Sequence, residues 1–365
     1  MSEASGLLKL FPPPKFLEMP SVGLDLSDNS VRFIDLARNK ETFSILRHAR
    51  EALPKGAIVG GEIKNPAALT EKLKTFKEKH DLHFVRTALP EEKAYLFMLE
   101  LPRMPHEEIG SAIQFRLEEN VPIEPQNAMF DYCILKHVDT VSPKALPVAV
   151  SVFDRSLIDQ YVAAFLSAGL VPLSFELESQ AVARSIIPHN NPATTMIVDF
   201  GQTRTTLAMA NGHVISFTST VEMGGSMLTS AIQEHFSVSF EEAERMKRDR
   251  GLIKSRNNKE LYELLLEKVA VIKEAINRHY EYWHTRHESS GAAHVKDHLT
   301  KIILCGGDSC LPGFFEYLSG NVPIPVEMAN VWINLFSLDE HIPDISFNDS
   351  MGYATAIGLA LDEHL

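Results

Sequence analysis

The sequence predicts an α/β protein in which strands and helices alternate around more than one hydrophobic core. Three observations predict this class. The chain has 365 residues, 45% of them hydrophobic and 23% charged, so it is long enough for two or more cores. Short β-rich runs alternate with apolar stripes that repeat at the helical period. Residues 21–36 and 196–210 read as two hairpins, each with an acidic residue near the end of its first strand.

Charge and cysteine content exclude several classes of function. The formal net charge is -13, so the overall electrostatic field repels nucleic acids and anionic lipid surfaces. No run approaches the roughly 18 uninterrupted apolar residues of a membrane span, and residues 1–20 lack the order of a signal peptide. Three cysteines do not suggest a disulfide framework. These features predict a cytoplasmic protein that neither binds nucleic acid nor inserts into a membrane.

The first half of the chain predicts a tail, a hairpin and a separate subdomain. Residues 1–20 contain three consecutive prolines, which prevent a regular helix, and we expect this tail to dock on the body of the protein, with docking on a partner as the alternative. A strand at 42–49 follows the first hairpin, and Asn65 and Pro66 open a helix. Residues 84–169 follow the pattern β-β-α-β-β-α. This run is predicted to be a compact, inserted α/β subdomain.

The second half places glycine pairs beside predicted helices. "VEMGGSMLTSAIQEHF" has a glycine pair at the start of a helix, and a charged helix at 239–250 and a long helix at about 259–284 follow. "KIILCGGDSCLPGFFEYLSG" predicts a strand, a glycine pair and a helix whose N-terminal N–H groups could face a ligand. "SMGYATAIGLALDE" predicts a helix of small residues suited to close packing.

The two acid-ended hairpins carry the groups that bind a phosphate and a divalent cation. An acid at a strand end can hold the cation, usually through water, while backbone N–H groups of the adjacent tip donate to phosphate oxygens. Glycine in the tip lets a phosphate approach closely. The second hairpin carries Asp199, Gly201, Thr203 and Thr205. The first carries Asp25, Asp28, Asn29 and Ser30, with Ser27 where a phosphate loop favours glycine. Each motif alone is more often an ordinary turn.

The order of these motifs resembles that of the superfamily of actin, Hsp70 and the sugar kinases. "GLDLSDNSVR" is similar to its first phosphate motif, "VDFGQTRTT" to its second, and "ILCGGDSCLPGF" to its adenosine motif. "ELESQAVARSI" and "GYATAIGLAL" are similar to its two connecting helices. The resemblance runs from about residue 21 to the C-terminus. It implies an actin-like (ribonuclease H-like) fold of two lobes, with an inserted α/β subdomain in the first lobe.

One branch of this superfamily is similar in amino-acid sequence as well as in the order of its strands and helices. "FVRTALPEEKAYLFMLELP", "SVFDRSLIDQYVAAFLSAGLVPLSFELESQAVAR" and "EMGGSMLTSAIQEHFSVSFEEAERMKR" resemble the type IV pilus assembly family called PilM. The resemblance implies a cytoplasmic scaffold, peripheral to the inner membrane, that binds the short N-terminal tail of the membrane protein PilN in a groove beside the inserted subdomain. It also implies ATP or ADP with Mg²⁺ in the cleft between the lobes, and a position near the pilus motor ATPases and platform protein.

The resemblance also implies a division of the chain into domains. The first lobe is expected to combine residues 21–83, 170–195 and 350–365. Residues 84–169 form the expected inserted subdomain, and residues 196–349 form the expected second lobe. Assembly into a homo-oligomer is compatible with this architecture.

Carried over residue by residue, the resemblance assigns roles within the motifs. Asp25 and Asp199 match the acids that face Mg²⁺ through water, and Glu178 matches the acid that orients water in relatives that hydrolyse ATP. For Lys247, an exposed surface charge is the alternative. The implied nucleotide-binding residues are Asp25, Ser27, Asn29, Ser30, Arg32, Asp199, Gly201, Gln202, Thr203, Gly224, Gly225, Glu242, Lys247, Gly306, Gly307 and Asp308.

Two departures from the superfamily pattern keep alternatives open. Ser27 replaces a glycine of the first phosphate motif, and Ser226 stands where an acid is common. A weak ATPase, or a scaffold whose cleft binds no nucleotide, therefore remains an alternative. A division protein like FtsA is another, although this chain ends "AIGLALDEHL" without a basic amphipathic helix. A small-molecule kinase is disfavoured because no segment offers a sugar-binding cluster.

Overall fold

The structure is a computed structural model that describes residues 20–39, 42–135, 145–289 and 299–361. Strands and helices alternate along these residues, as predicted. The strands are β1 (Ser21–Leu26), β2 (Ser30–Asn39), β3 (Thr42–Ala52), β4 (Ile58–Val59), β5 (Glu62–Ile63), β6 (Phe84–Leu89), β7 (Tyr95–Pro102), β8 (Ala128–Ile134), β9 (Ala145–Asp154), β10 (Val171–Leu177), β11 (Thr194–Phe200), β12 (Thr205–Asn211), β13 (Val214–Val221), β14 (Leu299–Cys305) and β15 (Val326–Met328). The helices are α1 (Pro66–His80), α2 (His106–Gln114), α3 (Leu117–Asn120), α4 (Arg155–Ser167), α5 (Glu178–Ile186), α6 (Gly225–Phe236), α7 (Phe240–Asp249), α8 (Lys259–Ser289), α9 (Phe314–Ser319), α10 (Phe347–Ser350) and α11 (Ala354–Leu361).

The first lobe is built on a mixed sheet with the strand order β10-β6-β1-β2-β3. β1 is antiparallel to β2, which forms the first predicted hairpin, and parallel to β6. The helix predicted after this hairpin starts as expected, because the Asn65 side chain accepts a hydrogen bond of 3.1 Å from the N–H of Ala68 and Pro66 lies in the first turn. α1 and α4 cover one face of this sheet with buried residues such as Phe76 and Phe165.

The second lobe is built on a mixed sheet with the strand order β13-β12-β11-β14-β15. β11 and β12 pair antiparallel and form the second predicted hairpin, while β14 runs parallel to β11. Helices α6 to α9 cover one face of this sheet. Leu228, Ile272 and Phe314 from these helices share an apolar core with Met196 and Val198 of β11.

α5 and α11 lie between the two sheets. Val182 of α5 and Ile357 of α11 belong to one core, which also contains Ile34 from the first sheet and Ile197 from the second. Both lobes therefore bury apolar surface against the same pair of helices. A movement of one lobe relative to the other must be accommodated at this pair.

α11 approaches its neighbours closely because two glycines lack side chains. A Cβ atom built on Gly358 would lie 1.7 Å from the carbonyl oxygen of Ala181 in α5. One built on Gly23 of β1 would lie 2.0 Å from the carbonyl oxygen of Ala356. The obstructing atoms belong to the backbone, so no rotamer change could relieve either clash. The predicted close packing of this helix is confirmed.

An inserted α/β unit follows β6, but its limits differ from the predicted 84–169. Its sheet has the order β7-β9-β8, and Ile109 and Ile113 of α2 pack against Val148 and Val150 of β9. β6 belongs to the first sheet instead, because it pairs in parallel with β1 and β10. α4 likewise packs in the core of the first lobe. The inserted unit therefore spans β7 to β9.

Several expectations concern the ends of the chain. Residues 1–19, which make up most of the predicted N-terminal tail, lie outside the described residues. Residues 362–365, which include the acidic residues at the C-terminus, also lie outside them. Within the described ranges, none of the helices combines the length and hydropathy needed to cross a bilayer. Cys133, Cys305 and Cys310 are free thiols, in agreement with the predicted lack of a disulfide framework.

Candidate functional site

The tips of the two predicted hairpins face one pocket between the lobes. The pocket encloses about 460 Å³ of empty space, including space that is open to solvent, and is lined from both sides. We call residues 27–29 the first tip and residues 201–204 the second tip. The lining residues are Leu26, Ser27, Asp28, Gly61, Pro90, Tyr161, Glu178, Asp199, Gly201, Thr203, Arg204 and Thr206. Residues that are far apart in sequence, and that were assigned to one site, are therefore brought together here.

Asp25 lies at the end of β1 and is only 5% exposed. Nη1 of Arg32, its antiparallel partner on β2, donates a hydrogen bond of 2.8 Å to its carboxylate. Burial raises the pKa of Asp25, and the charge and hydrogen bond of Arg32 oppose this shift. Two predicted site residues thus form an ion pair beside the pocket.

Asp199 lies near the end of β11, on the opposite side of the cleft. Burial raises the pKa of its carboxyl group to about 6, and the charge of Asp25 raises it further while Arg32 opposes the shift. Gly306, which follows β14, makes room for this carboxylate. It has a φ of +94°, and a Cβ atom built on it would lie 2.3 Å from Oδ1 of Asp199. The first glycine of the predicted adenosine motif therefore has a steric reason to be glycine.

Glu178 is the first residue of α5 and lines the same pocket. Burial raises the pKa of its carboxyl group well above the usual value, and the charges of Asp25, Glu91 and Asp199 raise it further. Three acids from three separate motifs thus repel one another in one cleft. A cation between them would remove that repulsion.

The hydroxyl groups of the first hairpin are bonded to each other. The Ser27 hydroxyl donates to the Ser30 carbonyl oxygen at 3.1 Å and lies 3.1 Å from the Ser30 hydroxyl. Ser30 is only 2% exposed. The carbonyl oxygen of Asn29 accepts a hydrogen bond of 2.9 Å from the N–H of Leu53. Ser27 thus stabilises its own hairpin through hydrogen bonds to Ser30, at the position where the superfamily pattern has a glycine.

The second tip is held by backbone contacts to the start of α6. The carbonyl oxygen of Gly201 accepts from the N–H of Gly225 at 3.1 Å, and that of Gln202 accepts from the N–H and the hydroxyl of Ser226 at 2.8 Å each. Gly201 is absent from the glycines with a positive φ, so the backbone conformation of the tip does not itself require glycine at this position. The close spacing of the tip and α6 instead depends on Gly224.

Gly224 and Gly225 are glycines because other parts of the site touch them. A Cβ atom on Gly224 would lie 2.4 Å from the carbonyl carbon of Thr203, and one on Gly225 would lie 2.0 Å from Oδ1 of Asp308. Nζ of Lys247 donates to the Gly225 carbonyl oxygen at 3.1 Å and to Asp308 at 3.0 Å. These residues join the second tip to α7 and to the turn after β14.

Lys247 is only 7% exposed, so the alternative of an exposed charge is wrong. It also forms an ion pair of 3.0 Å with Glu244. Burial raises the pKa of Asp308, and the charge of Lys247 opposes this shift. The buried ammonium group therefore neutralises the carboxylate that it contacts.

The last predicted residues differ in their surroundings. Glu242 pairs with Arg245 on the surface of α7, so its charge is satisfied on its own helix. No atom lies within 4 Å of a Cβ atom built on Gly307, which leaves this glycine facing open space. α9 begins only at Phe314, so the glycine pair does not open a helix as predicted.

Arg204 is a residue of the cleft that the sequence motifs did not indicate. Its Nη2 donates to Asp28 of the first tip at 2.7 Å, and its Nη1 forms an ion pair with Glu92. The Asp28 carboxylate also accepts hydrogen bonds of 3.2 and 3.1 Å from the N–H groups of Gly60 and Gly61. The sequence did contain a signal for this role. Arg204 lies in a hairpin tip among hydroxyl residues and has no acidic residue directly beside it in sequence, so its ion-pair partner had to come from elsewhere in the chain.

The donor set is compatible with Mg²⁺ held through water. No group of three or more metal-ligating side chains occurs in the described part of the chain, which disfavours direct coordination by several residues. Asp25, which is buried, and Asp199, which is half-buried, nevertheless have raised pKa values, and their mutual repulsion is what a divalent cation would relieve. The open side of Gly307 leaves room for a ligand next to them.

A second cavity, which we call the side groove, encloses about 1220 Å³ of empty space, including space that is open to solvent. It lies where the inserted unit, the first sheet, α5 and β13 meet. Its lining is largely apolar, with Arg184 paired to Glu176 at 2.6 and 2.7 Å. The lining residues are Leu89, Leu96, Met129, Phe130, Asp131, Tyr132, Cys133, Ala149, Ser151, Phe153, Ile158, Ser174, Phe175, Glu176, Leu177, Gln180, Arg184, Val214 and Ile215.

Comparisons with known proteins agree with this architecture. Among solved structures, a PilM-PilN type IV pilus biogenesis complex has a TM-score of 0.75 at 20% sequence identity, over 94% of this chain and 98% of that chain. MreB5 of Spiroplasma citri bound to AMPPNP has a TM-score of 0.54 at 14% identity, over 95% of this chain and 97% of that chain. Ethanolamine utilization protein EutJ from Carboxydothermus hydrogenoformans has a TM-score of 0.51 at 16% identity, over 96% of this chain and 90% of that chain. The predicted actin-like, two-lobed fold is confirmed.

The sequence also matches a family model along almost its whole length. The model describes the type IV pilus assembly protein PilM, and the match covers residues 23–364. This extent includes both hairpins, the inserted unit and the side groove. The chain therefore belongs to the PilM family of type IV pilus assembly proteins.

Proposed function

We propose that this protein is a cytoplasmic scaffold of type IV pilus assembly that binds Mg-ATP in the cleft and the N-terminal tail of a PilN-like membrane protein in the side groove. The observation that carries the proposal is the convergence of two acid-bearing hairpins from separate lobes on one pocket. α5 begins in that pocket at Glu178 and lines the side groove through Gln180 and Arg184. The two sites thus share one helix.

In the cleft, the residues of this chain would position the nucleotide. Asp25 and Asp199 would hold Mg²⁺ through water, and Arg32 would neutralise negative charge beside them. The open side of Gly307 would admit the nucleoside. When bound, Mg²⁺ would supply positive charge beside the two acids, and Glu178, which lines the pocket, would orient water if hydrolysis occurs.

In the side groove, an extended apolar peptide fits the lining. β8 is an edge strand of the inserted sheet and β10 is an edge strand of the first sheet. An extended tail can pair with such an edge while its side chains fill apolar pockets. The similar PilM-PilN complex supports this class of partner. A tail bound here would hold the scaffold at the inner membrane, next to the motor ATPases and platform protein.

The two sites can influence each other through α5 and β13. The Gln180 side chain donates to the carbonyl oxygen of His213 at 2.5 Å and accepts from the N–H of Ile215 at 3.3 Å. These bonds join α5 to the second lobe at the border of the side groove. A movement of the lobes on ATP binding would therefore change the groove, and the affinity for the tail would depend on nucleotide.

Thermal melting with and without Mg-ATP tests the cleft. We expect a higher melting temperature with millimolar Mg-ATP, because a ligand that binds only the folded state stabilises it, by about 2.7 kcal/mol at 100 times its dissociation constant. Asp199→Ala should lose the increase. Asp35→Ala is the matched control, since Asp35 pairs with Arg47 on the surface of the first lobe. An unchanged melting temperature for wild type would refute nucleotide binding and leave a pure scaffold.

A labelled peptide with the sequence of the PilN N-terminal tail tests the groove. We expect binding, measured by fluorescence polarisation, that a scrambled peptide does not reproduce and that depends on Mg-ATP. Equal binding of the two peptides would refute the partner assignment. Phosphate release, measured in the same samples, reports whether ATP is hydrolysed.

A further inference from the structure

We propose that Arg204 is an interlobe latch. Its guanidinium ties the two lobes together across the cleft, and the terminal phosphate of a bound nucleoside triphosphate releases the tie by taking over the guanidinium. The tie is a feature of the structure itself, whereas its release rests on the nucleotide binding proposed above. Arg204 belongs to the second lobe, and its two carboxylate partners, Asp28 and Glu92, belong to chain segments flanking the first sheet.

The three side chains that form the latch are largely removed from solvent. Arg204, Asp28 and Glu92 are 16%, 10% and 15% exposed, respectively. Ion pairs shielded in this way are screened by salt much less than surface pairs are. The latch therefore favours a closed cleft in the absence of a ligand.

The Glu92 carboxylate relies on Arg204 as its partner, whereas the Asp28 carboxylate has other hydrogen-bond donors. Both carboxylate oxygens of Glu92 are buried, and apart from the ion pair with Arg204 no hydrogen-bond partner for them is present among the described residues. Asp28 keeps the N–H groups of Gly60 and Gly61 when Arg204 leaves. Because a buried, unpaired carboxylate is unfavourable, release of Arg204 requires water to reach Glu92. The cleft must then widen at Glu92.

Widening at Glu92 acts on the inserted unit. Glu92 lies in the short 3₁₀ turn Glu91–Lys93, which leads directly into β7. The neighbouring Glu91 accepts hydrogen bonds from the N–H and the hydroxyl of Ser179 in α5, at 3.0 and 2.9 Å. The latch therefore connects the second tip to the base of the unit that borders the side groove.

A terminal phosphate can compete with the two carboxylates for Arg204, because it carries more negative charge than either of them. Arg204 lines the pocket beside Asp199, Gly201 and Thr203, and its Nε donates to the Thr203 hydroxyl at 3.3 Å. A guanidinium binds phosphate with two parallel N–H donors. A nucleoside diphosphate lacks the terminal phosphate, so it should leave the latch closed. Arg204 would then discriminate ATP from ADP.

The first test needs no nucleotide. Spin labels at Lys55 and Arg248, on a background with Cys133→Ser and Cys310→Ser, report the separation of the lobes. We expect a longer or broader distance distribution for Arg204→Gln than for wild type, and no change for the control Arg47→Gln, whose ion pair with Asp35 lies within the first lobe. An Arg204→Gln distribution identical to that of wild type overturns the latch. Cooperative thermal unfolding of each variant shows that it is folded.

The second test measures the affinity for Mg-ATP and Mg-ADP by calorimetry. Arg204→Gln should lose roughly tenfold or more in ATP affinity, because a charged hydrogen-bonding group is removed, with a smaller change for ADP. Glu92→Gln should raise ATP affinity, because Arg204 is freed. That gain should vanish in the Arg204→Gln, Glu92→Gln double variant.

The outcomes separate the two proposals. A gain from Glu92→Gln that persists without Arg204 reflects simple charge repulsion and overturns the phosphate transfer. A loss of ATP affinity in Glu92→Gln overturns it as well. If wild-type protein binds no nucleotide, the proposed function and the release step both fail, while the distance measurement still decides whether the latch exists.

Discussion

Replacing Asp199 by asparagine should stabilise the nucleotide-free protein. In the folded state the Asp199 carboxyl group has a pKa of about 6, against an ordinary value of 3.8, chiefly because it is buried. The folded state therefore holds the proton more tightly than the unfolded chain, and stability falls as the pH rises from about 4 to about 6. A difference of about two pKa units corresponds to roughly 3 kcal/mol. We expect Asp199→Asn to exceed wild type by up to that amount at pH 7.5.

Urea denaturation without nucleotide at pH 4.5, 6 and 7.5 measures this difference. The advantage of Asp199→Asn should shrink as the pH falls, because protonated wild type then carries no charge at this position either. The control Asp35→Asn removes a carboxylate that pairs with Arg47 at the surface, and should cost at most about 1 kcal/mol. A variant less stable than wild type at pH 7.5, or a difference independent of pH, would refute the reasoning.

Three further predictions concern packing, a buried charge and the side groove. Gly358→Ala should lower the free energy of unfolding by about 1–3 kcal/mol, because the new Cβ atom would clash with the α5 backbone. Gly110→Ala should raise the free energy of unfolding by up to about 1 kcal/mol, because no atom lies within 4 Å of the new Cβ atom and alanine favours a helix. Urea denaturation measures both changes. Lys247→Met should destabilise by about 3–5 kcal/mol, because Asp308 is left unpaired, and a thermal melt tests this. Met129→Glu should weaken binding of the tail peptide, measured by fluorescence polarisation, without changing the melting response to Mg-ATP; an equal loss of both responses would contradict separate sites.

Much of the fold could be predicted because its signals are local. Asn65 caps α1, and Ser239 caps α7 by accepting a hydrogen bond of 3.2 Å from the N–H of Glu242. Gly169, with a φ of +77°, follows the end of α4. Each signal lies within a few residues of the feature that it specifies. The hairpin acids Asp25 and Asp199 could be found in the same way, because strand, acid and tip are consecutive.

Features that depend on long-range contacts were missed. The pattern of β6 predicts a strand but does not indicate which sheet the strand joins. The range predicted for the inserted unit, residues 84–169, therefore includes a strand of the first sheet. Lys247 lies on a charged helix, and its burial depends on Asp308 from a distant turn. Arg204 and Asp28 are 176 residues apart, and no local pattern joins them. Ion pairs across the cleft therefore could not be predicted from the sequence.

The position of α11 has a consequence for how the protein is made. This helix packs on β1, the first described strand, yet it comes from the opposite end of the described chain. While a ribosome is still synthesising residues 354–361, one apolar face of the sheet that contains β1 lacks one of the two helices that cover it. The first lobe can therefore mature only after translation has reached α11, and until then its exposed face is open to chaperones and to aggregation.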